Sequence, residues 1–125
     1  MQSLSLNGGL SELPSNILKL ENLKYLNIDN SYFRNIPTLT SLKNLKELSL
    51  FHNYITVLPD NLKEFLPDTI THLWFNNNYI KDISKDILEF PHLERVHFNN
   101  NILSEESKKI LKELESKGCE VYYDK

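Results

Sequence analysis

Residues 70–80 have the sequence Ile-Thr-His-Leu-Trp-Phe-Asn-Asn-Asn-Tyr-Ile, and the pattern of this stretch recurs along the chain. Its apolar residues and one asparagine occupy the first, fourth, sixth, ninth and eleventh places: Ile70, Leu73, Phe75, Asn78 and Ile80. Alternate side chains of a β-strand point to opposite faces, so Leu73 and Phe75 share one face while Trp74 points to the other. The stretch therefore predicts a short strand with one buried face and one face in water.

Five copies of this unit precede residue 104. Aligned on the first apolar position, they begin at Met1, Leu23, Leu45, Ile70 and Leu93, at spacings of 22, 22, 25 and 23 residues. One copy cannot bury its apolar face alone, so the copies are expected to stack into a solenoid with parallel strands and outer return segments. In the first copy, the shorter Asn7-Gly8-Gly9-Leu10 loop predicts a glycine turn where later copies carry a polar ninth residue.

Two columns of side chains are predicted to be buried. The first contains the fourth position of each unit: Leu4, Leu26, Leu48, Leu73, Val96 and Val121. The second contains the ninth-place amides: Asn53, Asn78 and Asn101. A strand that turns sharply leaves buried backbone groups without partners, and an amide side chain can both donate to them and accept from them. The polar column is therefore expected inside the protein.

The return segments are predicted to be short and to contain helical or irregular turns. Three of them begin with an apolar residue followed by proline: Leu13-Pro14, Ile36-Pro37 and Leu58-Pro59. The residues Leu62, Phe65 and Leu66 have helical spacing before Pro67, which predicts one or two helical turns. Ser84 is suited to cap a similar turn in the next return segment.

From Ser104 onward the pattern changes to that of a closing unit. A helix is predicted over 105–117, with Ser104 as its N-cap and Gly118 as its stop, followed by a strand over 119–123. A terminal unit with a charged outer face shields the last core layer of a solenoid from water. The sequence thus predicts one structural domain, with five repeats at 1–103 and a capping unit at 104–125.

These units resemble the leucine-rich repeat family over residues 1–123. The spaced leucines with the ninth-place asparagine are the signature of that family, and the short units with Leu-Pro are similar to its bacterial-type and plant-like intracellular arrays. The resemblance implies an α/β solenoid, an arc with a parallel sheet on its concave face and return segments on its convex face. Members of the family mostly bind proteins on the concave face, so the resemblance also implies a binding module.

Composition and charge limit the classes of partner. The chain is 40% hydrophobic and 25% charged, and Lys+Arg 14 against Asp+Glu 17 gives a net charge of -3. This balance lacks the basic field that nucleic acids and anionic membranes require, so neither is expected as a partner. The single cysteine, the lack of an N-glycosylation acceptor and the lack of a signal-peptide or membrane-spanning segment favour a reducing, cytoplasmic setting.

Side chains at the third, fifth and seventh places of each unit are predicted to face the concave side. Seven of them, aromatic or basic, form the predicted partner-binding site: Tyr25, Phe51, His72, Trp74, Arg95, His97 and Tyr122. Aromatic and arginine side chains dominate interface hot spots, and an outward tryptophan is costly without a use. Polar residues, Asn76, Asn77, Asn99, Asn100, Asp29 and Glu47, are expected to form the rim. The alternative is that the rings only support one another across the strands.

Metal and catalytic chemistry find little support in the sequence. His52, His72 and His97 fall on the concave face, but His72 and His97 are diagonal to each other and no further ligand set accompanies them. Cys119 lies beside the last predicted strand, with no histidine near it in the repeat alignment. No metal, cofactor or catalytic residue is therefore assigned, and the protein is expected not to be an enzyme.

The functional prediction concerns the concave face. The favoured interpretation is a non-enzymatic module that binds a protein or peptide there. The alternative is a structural or self-assembling segment of a longer repeat protein, with weak self-association through the N-terminal edge strand at residues 2–6. Tyr32, Tyr54 and Tyr79 form a separate column just beyond the ninth place, interpreted as a structural ladder or else as a reserve binding edge.

Overall fold

The protein forms one sheet of six parallel strands that lie in sequence order from β1 to β6. The computed structural model describes residues 2–124. The six strands are β1 Ser3–Ser5, β2 Tyr25–Asn27, β3 Glu47–Ser49, β4 His72–Trp74, β5 Arg95–His97 and β6 Glu120–Tyr122. Met1, the first position of the first predicted repeat, and Lys125, the end of the predicted cap, lie outside the described residues.

The strand register brings equivalent repeat positions side by side. Leu48 of β3 pairs with Leu26 on one side and with Leu73 on the other, so the fourth places form a continuous column. Leu73 is fully buried, whereas Trp74 next to it remains partly exposed. A register slip of one residue would exchange these two faces. The predicted α/β solenoid, with its apolar face inside and its polar face on the sheet surface, is confirmed.

The predicted burial fails at the two ends of the array. The four central members of the leucine column are buried, but Leu4 and Val121 are only half-buried. They belong to the outer strands β1 and β6, so each has a neighbouring core layer on one side only. Asn101 is also half-buried, because no further repeat loop within residues 2–124 stacks on its far side.

The return segments are short 3₁₀ helices or turns. The helices span Ser15–Lys19, Leu62–Glu64 and Lys85–Glu89, and the segment at residues 35–44 contains turns only. The turn predicted before Pro67 is therefore present. Ser84 caps the 3₁₀ helix Lys85–Glu89 by accepting a hydrogen bond from the Asp86 N–H at 2.9 Å. In the described part of the chain, no helix has the length and apolar character needed to cross a membrane.

Helix α1, Glu105–Ser116, covers the C-terminal end of the core. Ser104 caps it by accepting a hydrogen bond from the Ser107 N–H at 3.1 Å. Ser107 itself is buried, and its hydroxyl donates to the Lys81 carbonyl at 2.7 Å and accepts from the Ile83 N–H at 2.9 Å. The helix is thus joined to the preceding repeat by hydrogen bonds as well as by its apolar face.

The helix and the last strand are both slightly shorter than the sequence predicts. Lys117 ends α1 with φ -90 and ψ 4, and Gly118 then has φ 98, a conformation that suits glycine and reverses the chain. The pairing of β6 with β5 begins only at Glu120, because Cys119 still belongs to this reversal. The division into repeats at 1–103 and a cap at 104–125 stays a prediction.

Candidate protein-binding face

Each of the four middle strands leaves the concave face through a residue in the left-handed conformation. These residues, at the eighth place of the repeat, are Asn30, His52, Asn77 and Asn100, with φ of 54, 59, 60 and 58. Asparagine tolerates this conformation better than most residues, which is the signal that the sequence offered. Asn77 and Asn100, predicted as rim residues, are therefore also turn residues, and the Asn100 amide donates to Asn77 at 2.9 Å.

Four aromatic side chains form one continuous stack across β4, β5 and β6. The ring centroids of His72 and Trp74 are 5.7 Å apart, and those of Trp74 and His97 are also 5.7 Å apart. His97 and Tyr122 are closer, at 4.7 Å, and their ring planes differ by 8°. Near-parallel rings on neighbouring strands hold one another in place, so the stack presents a rigid surface.

An ion pair between β5 and β6 accompanies the stack. Arg95 Nε donates to Glu120 Oε2 at 2.8 Å, and the Tyr122 hydroxyl donates to the same oxygen at 3.2 Å. The hydrogen bond from Arg95 lowers the pKa of Glu120, and the charge of Arg95 lowers it further. Glu120 was not among the predicted site residues, although its position in the repeat places it directly opposite Arg95.

Partial burial lowers the pKa of His97 below its ordinary value of 6.5. The positive charges of Arg95 and His72 act in the same direction, and the charge of Glu120 opposes them. The ring at the centre of the stack is therefore held in its neutral form at neutral pH.

We expect the fold to become less stable in mild acid through His97. The fold disfavours the protonated ring. His97 therefore does not lower the free energy of unfolding well above about pH 6.5, but it lowers this free energy increasingly as the pH falls through that value. NMR titration of the His97 ring in the native protein measures this pKa directly. Arg95→Gln should raise it, since a positive charge is removed, whereas Lys19→Gln on the opposite side should leave it unchanged. A pKa of 6.5 or higher in the wild type would contradict this account.

A concavity of about 440 Å³ lies on the N-terminal side of the stack. The predicted site residues Tyr25 and Phe51 line it, together with Trp74, which borders the stack on one side and the concavity on the other. Phe51 contacts the ring of His52 in an edge arrangement, with centroids 6.0 Å apart. The seven predicted residues thus lie on one face, but they form two adjoining parts that share Trp74.

The tyrosine column lies on a separate edge of the molecule. Tyr54 stacks with Tyr32 at 5.9 Å and with Tyr79 at 5.8 Å, and both pairs of ring planes differ by 12°. All three rings are exposed, and Ile102 continues the column. Gly9 makes room at the other end, because a Cβ there would lie 3.1 Å from the Tyr32 ring. The stacking fits the interpretation of the column as a structural ladder, and its use as a reserve binding edge stays a prediction.

The single cysteine is not suited to nucleophilic chemistry. Burial raises the pKa of Cys119 to about 11, and the carboxylates of Glu120 and Glu115 contribute in the same direction. The thiolate is the reactive form, so at neutral pH almost all of this residue is an unreactive thiol.

The stacked one-strand repeats, the buried asparagine ladder and the continuous parallel sheet define the protein as a solenoid of leucine-rich units. Residues 43–85 match the family model described as Leucine Rich repeats (2 copies). Over these residues the chain resembles the leucine-rich repeat family.

One solved structure that resembles the chain is that of a leucine-rich repeat protein from Leptospira interrogans, with 24% sequence identity and a TM-score of 0.42. The alignment covers 97% of this chain and 48% of that one, so the chain spans about half the length of the structure it matches. No curated protein sequence matches the chain. Leucine-rich repeat proteins typically mediate protein–protein interactions and are typically not enzymes.

Proposed function

We propose that the protein is a non-enzymatic module that binds a protein or peptide partner on the concave face, with Trp74 at the centre of the contact. The observation that carries the proposal is the position of this side chain. Trp74 lies in the middle of the sheet, is only partly covered, and is held between the stacked rings of His72 and His97. A rigid, half-exposed indole loses little conformational entropy on binding, which is typical of a hot-spot residue.

Mutual support between the rings does not account for the whole arrangement. The stack runs from Trp74 towards the C-terminal end, but the fifth places on the other side are small: Ser5, Asn27 and Ser49. The stack spans β4, β5 and β6 and does not continue onto β3, where Ser49 pairs with Trp74. The aromatic surface instead ends at a concavity, so its last ring is open to a partner.

Replacing Trp74 with alanine is expected to weaken partner binding by roughly 2 kcal/mol or more, about 30-fold in Kd. The thermal stability should change little, because the indole lies on the solvent side of the sheet. Partners captured by the full chain provide the ligand, and calorimetric titration measures the affinity. Lys19→Ala, on the convex side in the helix Ser15–Lys19, is the control and should bind as the wild type does.

Two results of this experiment would contradict the proposal. Equal affinities of the wild type and Trp74→Ala would move the contact off the concave face, and the edge formed by Tyr32, Tyr54 and Tyr79 would be tested next. Unfolding of Trp74→Ala would mean that the indole is part of the core.

The outer strand β1 supports a second candidate function, self-assembly of the repeat array. Within residues 2–124, β1 pairs only with β2, and both Leu4 in this strand and Leu6 just after it are only half-buried. Exposed strand edges recruit other chains. We expect the mass measured by light scattering to rise with protein concentration, and amide exchange to be faster in Ser3–Ser5 than in Glu47–Ser49. A constant monomer mass with equal exchange rates would argue against this role.

A further inference from the structure

The concavity beside Trp74 combines aromatic rings with hydrogen-bond acceptors. Its walls are formed by Tyr25, Asp29, Glu47, Phe51, Trp74 and Asn76. We propose that it receives a lysine or arginine side chain of the protein or peptide partner. This inference rests on the proposed function, because it names the chemistry that the concave face selects.

The shape of the concavity follows from the fifth place of the repeat. Ser5, Asn27 and Ser49 are short, whereas Trp74, which pairs with Ser49, is the largest side chain available. The sheet surface therefore drops by the height of an indole between β4 and β3. Tyr25 and Phe51 stand at the other sides, so a long, narrow group can enter and contact rings on several sides.

The electrostatics of the concavity favour a cation. Among its lining residues, Asp29 and Glu47 are acidic and none is basic. Asp29 is fixed in place because its Oδ1 accepts from the Ser49 hydroxyl at 2.6 Å and from the Phe51 N–H at 3.0 Å. Glu47 is only half-buried, and its carboxylate has no hydrogen bond or ion pair within residues 2–124. The carboxylate of Asp29 is thus held in position, and that of Glu47 is free to pair with a cation.

Asn76 adds an acceptor that the protein leaves unused. Its Oδ1 is buried and has no hydrogen-bond partner in the described part of the chain, although most buried polar atoms have one. Lysine and arginine side chains carry only donors, and they match the carboxylates of Asp29 and Glu47, which can only accept. A cation over the rings of Tyr25 or Trp74 gains a further cation–π attraction. A carboxylate would be repelled, and a neutral apolar chain would leave Glu47 without a partner.

The C-terminal half of the face does not offer the same chemistry. There, the carboxylate of Glu120 is already paired with Arg95 at 2.8 Å, so it is not available to a cation from a partner. The concavity and the stack therefore select different parts of a ligand, a basic side chain on one side of Trp74 and a flat or apolar group on the other. This difference orients the partner along the sheet.

A random peptide library displayed on phage and selected on the full chain tests this inference. Peptides that bind the wild type but not Trp74→Ala define ligands of the concave face. In each of these, lysine is then replaced by norleucine and arginine by citrulline. We expect one such replacement to weaken binding to the wild type by about tenfold or more. The same replacement should cost less than about threefold in Glu47→Gln, because the charge that it pairs with is gone.

A matched control is Glu12→Gln, which removes an exposed carboxylate in the first return segment and should leave the tenfold effect intact. Two results would overturn the inference and leave the proposed function standing. In the first, the peptides depend on Trp74 but need no basic residue. In the second, replacing the basic residue weakens binding to Glu47→Gln as much as it weakens binding to the wild type. Selection of peptides that are all insensitive to Trp74→Ala would overturn both.

Discussion

Truncating Leu73 to alanine is expected to lower the free energy of unfolding by about 2–5 kcal/mol. Leu73 is fully buried at the middle of the fourth-place column, where it pairs with Leu48 on one side and Val96 on the other. The strands around it are held in register by hydrogen bonds, so they cannot close the cavity left by the lost methyl groups. Urea denaturation followed by circular dichroism measures the loss.

Lys46→Ala is the matched control for this prediction. Lys46 comes directly before β3, the strand that pairs with the strand of Leu73. Its side chain is exposed, and replacing it with alanine leaves the backbone carbonyl in place. Its effect should stay within about 0.5 kcal/mol. If Leu73→Ala were as harmless as Lys46→Ala, the side chain would not be in the core and the register of the sheet would be wrong.

The period of the sequence was sufficient to predict the fold. Buried apolar residues at fixed intervals require equivalent strands to lie side by side, so the pairing of Leu48 with Leu73 follows from the spacing alone. What the period could not predict is how the array behaves at its ends. Burial depends on having a neighbour on both sides, and for this reason Leu4, Val121 and Asn101 are more exposed than central residues of the same type.

The sequence was sufficient to predict which side chains lie on the concave face, but not how these side chains are arranged. Repeat position places a side chain on the concave face, whereas its rotamer and its contacts depend on the sizes of the neighbouring side chains. The stack of Trp74 on His97 requires both rings to lie nearly parallel, and the concavity arises from small residues in the preceding strands. Ser107 is a second example, since a polar residue on the inner face of α1 gives no signal of the carbonyl that it reaches.

The buried asparagine ladder joins the turns that follow the strands of the concave face. Asn78 Oδ1 accepts from the Ile55 N–H at 3.1 Å, and its Nδ2 donates to the carbonyl oxygens of Leu50 at 2.9 Å and Phe75 at 3.0 Å. These contacts join two repeats just beyond the ends of β3 and β4, close in sequence to Phe51 and Trp74. The side chain is itself buried, so water does not compete for these groups in the folded protein.

Asn78→Ala is therefore expected to destabilise the protein by about 1–3 kcal/mol, since the buried Ile55 N–H loses its partner. The carbonyl oxygens of Leu50 and Phe75 each lose one donor but keep a second, from Asn53 and Asn101. Asn44→Ala is the control, because its amide also donates to a backbone carbonyl of the neighbouring repeat, that of Glu21 at 2.7 Å, but in an exposed position. It should cost less than about 1 kcal/mol. Similar losses for the two variants in urea denaturation would mean that water replaces the amide of Asn78. Water can enter only if the loop opens, so in that case the Ile55 amide would exchange rapidly with solvent.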